Sequence, residues 1–166
     1  SIKRATLIGI TCSDPNGAWL ASWKKIISEI APEVPCFIGV RKLRAVKDGR
    51  TGVKKNPEST RFGAFCGIGR PKRFLEDMES WATIFYSKTY PDHHAYTKKD
   101  VESLLQKAKE LSLEAYITTA KDFYKVADFF RDFNFPLLVA QTEYEFEAGF
   151  WKRMEKELGR SEERRV

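Results

Sequence analysis

Three short apolar runs decide the fold: G-A-F-C-G (Gly63 to Gly67), A-T-I-F-Y (Ala82 to Tyr86) and A-Y-I-T-T (Ala115 to Thr119). Their length and their content of β-branched and aromatic residues are typical of buried strands. Between the first and second runs, apolar residues recur at helical spacing from Phe74 to Trp81, and a second such stripe runs from Val101 to Leu111. Thr97 and Asp100, just before the second stripe, predict a capping box at its helix start. This segment therefore predicts the order strand, helix, strand, helix, strand.

The same alternation continues outward to both ends of the chain. It predicts further strands at Ala5 to Cys12, Pro35 to Val40 and Pro136 to Ala140, and further helices at Trp19 to Ile30, Ala120 to Phe130 and Phe146 to Gly159. Regular alternation of strand and helix favours an α/β fold. We expect a mostly parallel sheet with helices on both faces, in three layers.

The chain is expected to form one domain over residues 1–159. Within it, residues 41–60 are basic and polar, and Asp48-Gly49 is a turn signal, so we predict a basic hairpin or linker there. The last helix is expected to end at Gly159, which leaves residues 160–166 as a charged tail.

Composition argues against a disordered chain, a membrane-spanning helix and a cysteine-based metal site. The hydrophobic fraction of 42% and the charged fraction of 31% are typical of a globular chain. No apolar run approaches the roughly 20 residues that a membrane-spanning helix needs. Cys12, Cys36 and Cys66 are odd in number and lie in apolar contexts without metal-binding spacing, so we expect reduced, buried thiols and no metal site.

The formal net charge is +6, and the basic residues cluster in residues 41–55 and 70–73. Such a surface fits anionic lipid, a phosphorylated substrate or nucleic acid, and it also fits an ordinary solvated face. Aromatic residues do not alternate with these basic clusters as they do in proteins that bind single-stranded nucleic acid. We therefore expect no nucleic-acid partner.

Three polar loops follow predicted strands: Gly67-Ile68-Gly69, Asp92-His93-His94, and Thr118 to Asp122. Because the carboxyl ends of parallel strands meet at one edge of a sheet, we expect the three loops to lie together. The second loop holds both histidines of the chain, and histidine is the usual proton carrier near neutral pH.

Each loop also has a purely structural interpretation. Gly67 and Gly69 before a helix fit either a phosphate-binding turn or a plain tight turn. Thr119 and Asp122 fit a helix cap, with Lys121 between them, as well as a functional site. The triplet Asp92-His93-His94 also occurs in two-metal phosphoesterases, but those enzymes need further histidines that this sequence lacks.

The motifs in these loops resemble a known family. They are A-F-C-G-I-G-R-P-K-R-F (Ala64 to Phe74), Y-P-D-H-H-A-Y-T (Tyr90 to Thr97) and T-T-A-K-D (Thr118 to Asp122). In order and spacing they resemble the carboxyl-terminal half of the tetraacyldisaccharide 4'-kinases, the lipid A 4'-kinases. The opening I-K-R-A-T-L-I-G-I-T resembles the segment that joins the two halves of these kinases, with Thr6 where an aspartate is usual.

The resemblance implies a kinase of the P-loop class with two α/β domains. Such a kinase transfers the γ-phosphate of ATP, with Mg²⁺, to the 4'-hydroxyl of a tetraacyldisaccharide 1-phosphate in lipid A biosynthesis. It is peripheral to the cytoplasmic face of the inner membrane. The implied partners are an amino-terminal P-loop domain, the lipid A disaccharide precursor and the inner-membrane surface.

For this chain the resemblance implies that His93 is the catalytic histidine, working with an aspartate from the other domain. Asp92 would orient or pair with His93, whereas Gly67, Gly69, Thr118, Thr119, Lys121 and Asp122 would contact substrate or shape the site. The sequence contains no G-x-x-x-x-G-K-[ST] motif, which a P-loop kinase uses to hold phosphates and Mg²⁺. We therefore expect a carboxyl-terminal domain that is inactive alone, with the main ligands of ATP and Mg²⁺ elsewhere. The alternative is a non-catalytic α/β module that binds anionic lipid or a protein partner through its basic surface.

Overall fold

The computed structural model of the chain describes residues 2–12, 14–57 and 60–163, which form seven strands and five helices. They follow a single 3-10 turn at Ile2–Arg4. In chain order they are β1 (Ile8–Cys12), α1 (Ala18–Ile30), β2 (Cys36–Asp48), β3 (Lys54–Lys55), β4 (Phe62–Cys66), α2 (Pro71–Trp81), β5 (Ile84–Thr89), α3 (Lys98–Leu111), β6 (Ala115–Thr119), α4 (Ala120–Asp132), β7 (Leu137–Phe146) and α5 (Phe150–Glu163). The residues group into two compact units. Unit 1 comprises Ser1–Lys42 and Glu143–Val166, and unit 2 comprises Leu43–Thr142.

In unit 1, β1 pairs in parallel with the first part of β2, from Ile8 opposite Cys36 to Cys12 opposite Val40. Helix α1 buries Leu20 and Ile27. Trp19, Trp23, Ile26 and Ile30 remain between 42% and 53% exposed on the same helix. The apolar stripe predicted for α1 is therefore wider than the face that unit 1 covers.

An aromatic cluster forms the second part of unit 1, and it consists of Phe37, Phe146, Phe150 and Trp151. The rings of Phe146 and Phe150 stack with centroids 3.8 Å apart, and Phe37 meets Phe150 edge-on at 5.7 Å. Gly39 lies directly under this cluster, because a Cβ atom added there would come within 2.6 Å of the Phe146 ring. The cluster therefore packs against bare backbone.

Unit 2 contains a parallel sheet in the order β7, β6, β4, β5. Successive residues of the central strands point to opposite faces. Phe62, Ala64 and Cys66 pack with Phe74 and Met78 of α2, whereas Phe65 packs with residues of α3 and α4. Helices thus cover both faces, and the predicted mostly parallel α/β fold is confirmed.

A hairpin lies where a basic hairpin or linker was predicted. Strand β2 continues to Asp48, turns through Gly52 with φ at 70°, and returns as β3, where Lys54 and Lys55 pair with Lys47 and Val46. Burial would raise the pKa of Asp48, but hydrogen bonds from Thr51 and from the Arg50 backbone outweigh it and lower the pKa. Residues 58 and 59 of the predicted segment lie outside the described residues.

Several element ends differ from the prediction. Strand β7 continues past Ala140 to Phe146, and α5 begins at Phe150 instead of Phe146. Phe146 is therefore a strand residue whose ring packs on α5, which explains why it shared the helical apolar pattern. Helix α5 passes the expected end at Gly159 and continues to Glu163, and residues 164–166 of the predicted tail lie outside the described residues. The expectation of one domain over residues 1–159 stays a prediction.

Candidate functional site

The three polar loops meet at the carboxyl ends of β4, β5 and β6 in unit 2, as the parallel sheet predicted. The Gly67 N–H donates to Oδ2 of Asp122, at 2.9 Å. The His93 N–H donates to the carbonyl oxygen of Gly67, at 3.2 Å. One glycine therefore joins the loop after β5 to the start of α4.

His93 lies at the outer tip of a four-residue turn, Pro91 to His94, closed by the His94 N–H donating to the Pro91 carbonyl. Its φ is 58°, a left-handed value that histidine adopts more readily than most residues. The side chain is 85% exposed, and its Nε2 lies 3.9 Å from Oδ2 of Asp92. The turn thus presents the imidazole to solvent beside a carboxylate.

His94 has a different environment although it is the next residue. Its side chain is 24% exposed, its ring stacks on Tyr90 at 4.6 Å, and it meets Tyr96 edge-on at 4.8 Å. Its Nε2 lies 3.2 Å from Oδ2 of Asp100. His94 therefore anchors the loop, whereas His93 points away from it.

Asp100 connects this anchor to α3 through the predicted capping box. Its carboxylate accepts from the backbone N–H and the hydroxyl of Thr97, both at 2.8 Å, and the Thr97 hydroxyl accepts from the Asp100 N–H. Burial would raise the pKa of Asp100, but the hydrogen bonds from Thr97 and then His94 outweigh it and lower the pKa. The loop is therefore fixed at its carboxyl end by an ionised carboxylate.

Asp122 is fully buried in the first turn of α4. Its Oδ2 accepts from the Gly67 N–H and from the Thr119 hydroxyl, the latter at 2.8 Å, while the Asp122 N–H donates to that hydroxyl at 3.1 Å. The cap predicted for Thr119 and Asp122 is thus present. The same carboxylate also bonds across to the glycine turn.

The negative charge of Asp122 affects two buried neighbours. Burial and the nearby Asp122 carboxylate raise the pKa of Cys66 to about 12. Burial and the same carboxylate also raise the pKa of Tyr96. Both groups are therefore protonated at neutral pH, so the Cys66 thiol is unsuited to act as a nucleophile.

The two glycines of the turn make room for the histidine loop. A Cβ on Gly67 would come within 3.0 Å of the Tyr96 hydroxyl and 3.2 Å of the Pro91 carbonyl oxygen. A Cβ on Gly69 would come within 3.0 Å of Asp92 Oδ2. A side chain at Gly67 would therefore press on the backbone of the loop, whereas one at Gly69 would meet only the end of the exposed Asp92 side chain.

Not every predicted site residue joins the cluster. The Thr118 hydroxyl is buried and donates to the Phe65 carbonyl inside the sheet, at 2.9 Å, and Lys121 is exposed in the first turn of α4. The sequence interpretation missed Tyr90, Tyr96 and Lys125. The aromatic spacing of Tyr90, His94 and Tyr96 within one loop was the available signal for the first two.

The Gly67 turn does not fit a bound phosphate. The Gly67 N–H, which a phosphate would need, already donates to Asp122, and the buried negative charge beside it would repel an anion. Among residues 2–12, 14–57 and 60–163, no group of three or more His, Cys, Asp or Glu side chains lies suitably placed to hold a metal ion. The arrangement fits proton transfer and orientation by His93 better than it fits phosphate or metal binding.

Comparison with known proteins identifies the family. The sequence profile of tetraacyldisaccharide-1-P 4'-kinase matches residues 10–159, which is most of the chain. The chain belongs to the tetraacyldisaccharide-1-P 4'-kinase family. The predicted membership of this kinase family is thereby confirmed.

Curated members of the kinase family match part of the chain. The tetraacyldisaccharide 4'-kinase of Syntrophus aciditrophicus is 36% identical over 97 residues, which are 56% of this chain and 26% of that protein. The tetraacyldisaccharide 4'-kinase of Rickettsia canadensis is 40% identical over 68 residues, which are 40% of this chain and 21% of that protein. The aligned segments lie in the carboxyl-terminal part of these relatives and cover about a quarter of their length or less.

The fold is also similar to a solved kinase of this family. The crystal structure of LpxK from Aquifex aeolicus in complex with ATP matches with a TM-score of 0.52 and 15% sequence identity. The match covers 89% of this chain and 50% of that one. The chain therefore spans about half the length of the solved kinase and shares its fold there. None of the helices in the described ranges is both long and apolar enough to cross a membrane.

Proposed function

We propose that this chain acts as the carboxyl-terminal part of a tetraacyldisaccharide 4'-kinase. The complete kinase transfers the γ-phosphate of ATP to the 4'-hydroxyl of a tetraacyldisaccharide 1-phosphate in lipid A biosynthesis. The observation that carries the proposal is the outward-facing His93, held on a tight turn within the segment that matches the kinase family.

In this proposal His93 handles the proton of the acceptor hydroxyl. The exposed imidazole has Asp92 on one side at 3.9 Å and open solvent on the other, which leaves it accessible to a sugar hydroxyl. A histidine that holds such a proton, or orients an aspartate that takes it, supports attack of the hydroxyl oxygen on a phosphoryl group. In this proposal Asp92, whose carboxylate lies beside the imidazole, orients the His93 ring when substrate is bound.

ATP and Mg²⁺ belong, in this proposal, to an amino-terminal P-loop domain that is the chain's main partner. Two observations support this division: the absence of a P-loop motif from the sequence and the occupied Gly67 N–H. Phosphoryl transfer depends on positioning and on stabilisation of charge by groups around the phosphates. The isolated chain should therefore be inactive, and it should work beside the lipid precursor at the cytoplasmic face of the inner membrane.

Reconstitution tests the proposal directly. The chain is mixed with a separately produced amino-terminal half of a kinase from the same family, and phosphate transfer from labelled ATP to tetraacyldisaccharide 1-phosphate is measured. We expect activity only in the mixture. His93→Ala should reduce it by about 100-fold or more, because loss of a general acid or base costs 10²–10⁴-fold.

Lys99→Ala is the matched control, because Lys99 is an exposed residue of the neighbouring helix α3. Its mixture should retain the activity of the unmodified chain. Activity of the isolated chain, or full activity of the His93→Ala mixture, would contradict the proposal. Binding of the isolated chain to anionic vesicles without any activity in the mixture would favour the non-catalytic lipid-binding alternative.

A further inference from the structure

Asp122 is a buried carboxylate for which the proposed proton chemistry has no direct use. It is 0% exposed and lies beneath the histidine loop instead of facing a substrate. Burial of a charged carboxylate is costly unless hydrogen bonds and nearby cations compensate for it. Its partners therefore indicate what the residue does.

One set of contacts connects Asp122 to His93. Asp122 Oδ2 accepts from the Gly67 N–H at 2.9 Å, and the Gly67 carbonyl accepts from the His93 N–H at 3.2 Å. Both backbone groups of a single glycine are thus used, one toward α4 and the other toward the histidine turn. The His93 N–H also donates to Asp92 Oδ1 at 3.0 Å, so Gly67 and Asp92 together hold His93 at its φ of 58°.

A second set of contacts connects Asp122 to His94. Asp122 Oδ1 lies 3.6 Å from Nζ of Lys125, and the same Nζ donates to the His94 carbonyl at 3.4 Å. Lys125 is thus a cation that offsets the charge on Oδ1, and the Tyr96 hydroxyl also interacts with the Asp122 carboxylate. Asp122 therefore reaches the backbone of both histidines, by separate routes.

We infer that Asp122 is a positioning residue that fixes the histidine loop, and with it the direction of the His93 ring, through Gly67 and Lys125. Its effect on catalysis rests on the proposed kinase function, whereas its effect on the loop does not. A helix cap alone would not need these contacts, since Thr119 already caps α4 through the Asp122 N–H.

The geometry requires a carboxylate at this position. Oδ2 accepts two hydrogen bonds while Oδ1 faces an ammonium group, so both oxygens must be acceptors. An asparagine retains one acceptor oxygen for Gly67 and turns its NH₂ group, which only donates, toward Lys125. Asp122→Asn thus keeps the size of the side chain, leaves only a neutral and weaker acceptor for the Gly67 N–H, and weakens the route to His94.

The loop is tested on the isolated chain by amide hydrogen exchange in the ¹⁵N-labelled protein. In Asp122→Asn, exchange of the His93 and Gly67 amides should accelerate by about tenfold relative to amides of β6, because local opening becomes easier. Lys125→Met removes the cation at a partly exposed position and should accelerate these amides by about threefold. Asp128→Asn, on the exposed face of the same helix, is the control and should change neither.

Catalysis is tested in the reconstituted mixture, at a temperature at which urea titration finds each variant folded. We expect Asp122→Asn to lower kcat by about tenfold or more with KM within twofold, because displacement of a catalytic group lowers the rate more than binding. Lys125→Met should also lower kcat. This second variant keeps the test valid if Asp122→Asn does not fold.

The outcomes separate the two proposals. If the unmodified mixture is inactive, the kinase function fails, while the exchange data still decide the role of Asp122. If His93 exchange and kcat change only in proportion to global stability, or stay unchanged in both variants, Asp122 stabilises the fold and the inference is overturned. Faster exchange confined to Gly67, His93 and their loop supports it.

Discussion

Gly67 in unit 2 and Gly39 in unit 1 both lie so close to other groups that a side chain would not fit without movement, but different interactions surround them. Gly67 is tied by directional hydrogen bonds at its N–H and its carbonyl. Gly39 lies under the Phe146 ring, which is stacked on Phe150. Hydrogen bonds fix a direction, whereas apolar packing mainly removes surface from water. The comparison suggests that unit 1 uses its glycine for stability and that unit 2 uses its glycine for the placement of a loop.

The largest effect should follow from truncation of the aromatic cluster. Phe150 is 7% exposed and contacts Phe37, Phe146 and Trp151, so Phe150→Ala should lower the free energy of unfolding by about 3–4 kcal/mol. Urea unfolding followed by circular dichroism measures it. Trp151→Ala, at a residue 55% exposed, should cost less than half as much, and equal costs would contradict a buried role for Phe150.

Filling the space above Gly39 should have the next largest effect. Because an added Cβ would lie 2.6 Å from the Phe146 ring, Gly39→Ala should displace the ring and cost about 2 kcal/mol. Gly159→Ala is the control: the site is open and lies inside α5, so alanine should stabilise by roughly 0.5–1 kcal/mol. If Gly39→Ala is neutral, the cluster does not pack on bare backbone.

Removal of the loop anchor should have a moderate effect. His94→Ala loses the stacking on Tyr90 and the contact with Asp100, so thermal unfolding should report a loss of about 1–2 kcal/mol. His93→Ala, at the exposed neighbour, should stay within about 0.5 kcal/mol. A larger loss of stability for His93→Ala than for His94→Ala would contradict the anchoring role of His94.

Acid should weaken the same anchor in a predictable direction. Because the folded pKa of Asp100 is lowered, its contribution to stability is present above the unfolded pKa and is lost as the pH falls through the folded pKa. Urea titrations between about pH 5 and pH 2, where carboxylates titrate, should give a shallower loss of stability for Asp100→Asn than for the unmodified chain. Identical slopes would show that Asp100 does not contribute.

The smallest expected effect is at His93 itself. Glycine adopts a φ of 58° without the penalty of a Cβ atom, so His93→Gly should leave stability unchanged or raise it by up to about 1 kcal/mol. Differential scanning calorimetry measures the change. A loss above about 1 kcal/mol would mean that the imidazole supports the fold.

Much of unit 2 was predictable from the sequence because β4 and β6 are short, mostly apolar runs that are each followed by a strong helical signal. Strand β6 agrees with its predicted bounds, and the capping box of Thr97 and Asp100 was predicted from two residues. The meeting of the three loops followed from the parallel sheet alone.

The remaining features depend on contacts that a sequence pattern does not encode. Residues 41–48 are rich in basic side chains, which hid the second half of β2, because a half-exposed strand has no continuous apolar run. The different roles of His93 and His94 depend on one left-handed residue and on the positions of Tyr90 and Asp100. Lys125 lies on an exposed helix face, where nothing in the sequence distinguishes it from other lysines.

The buried Cys66 makes the opening of unit 2 measurable by chemical labelling. The thiol is 0% exposed, and its pKa of about 12 keeps it from forming the reactive thiolate at neutral pH. An alkylating reagent therefore reacts with it only when β4 separates from its neighbours. The rate of alkylation at Cys66 records how often the strand beneath the histidine loop comes apart.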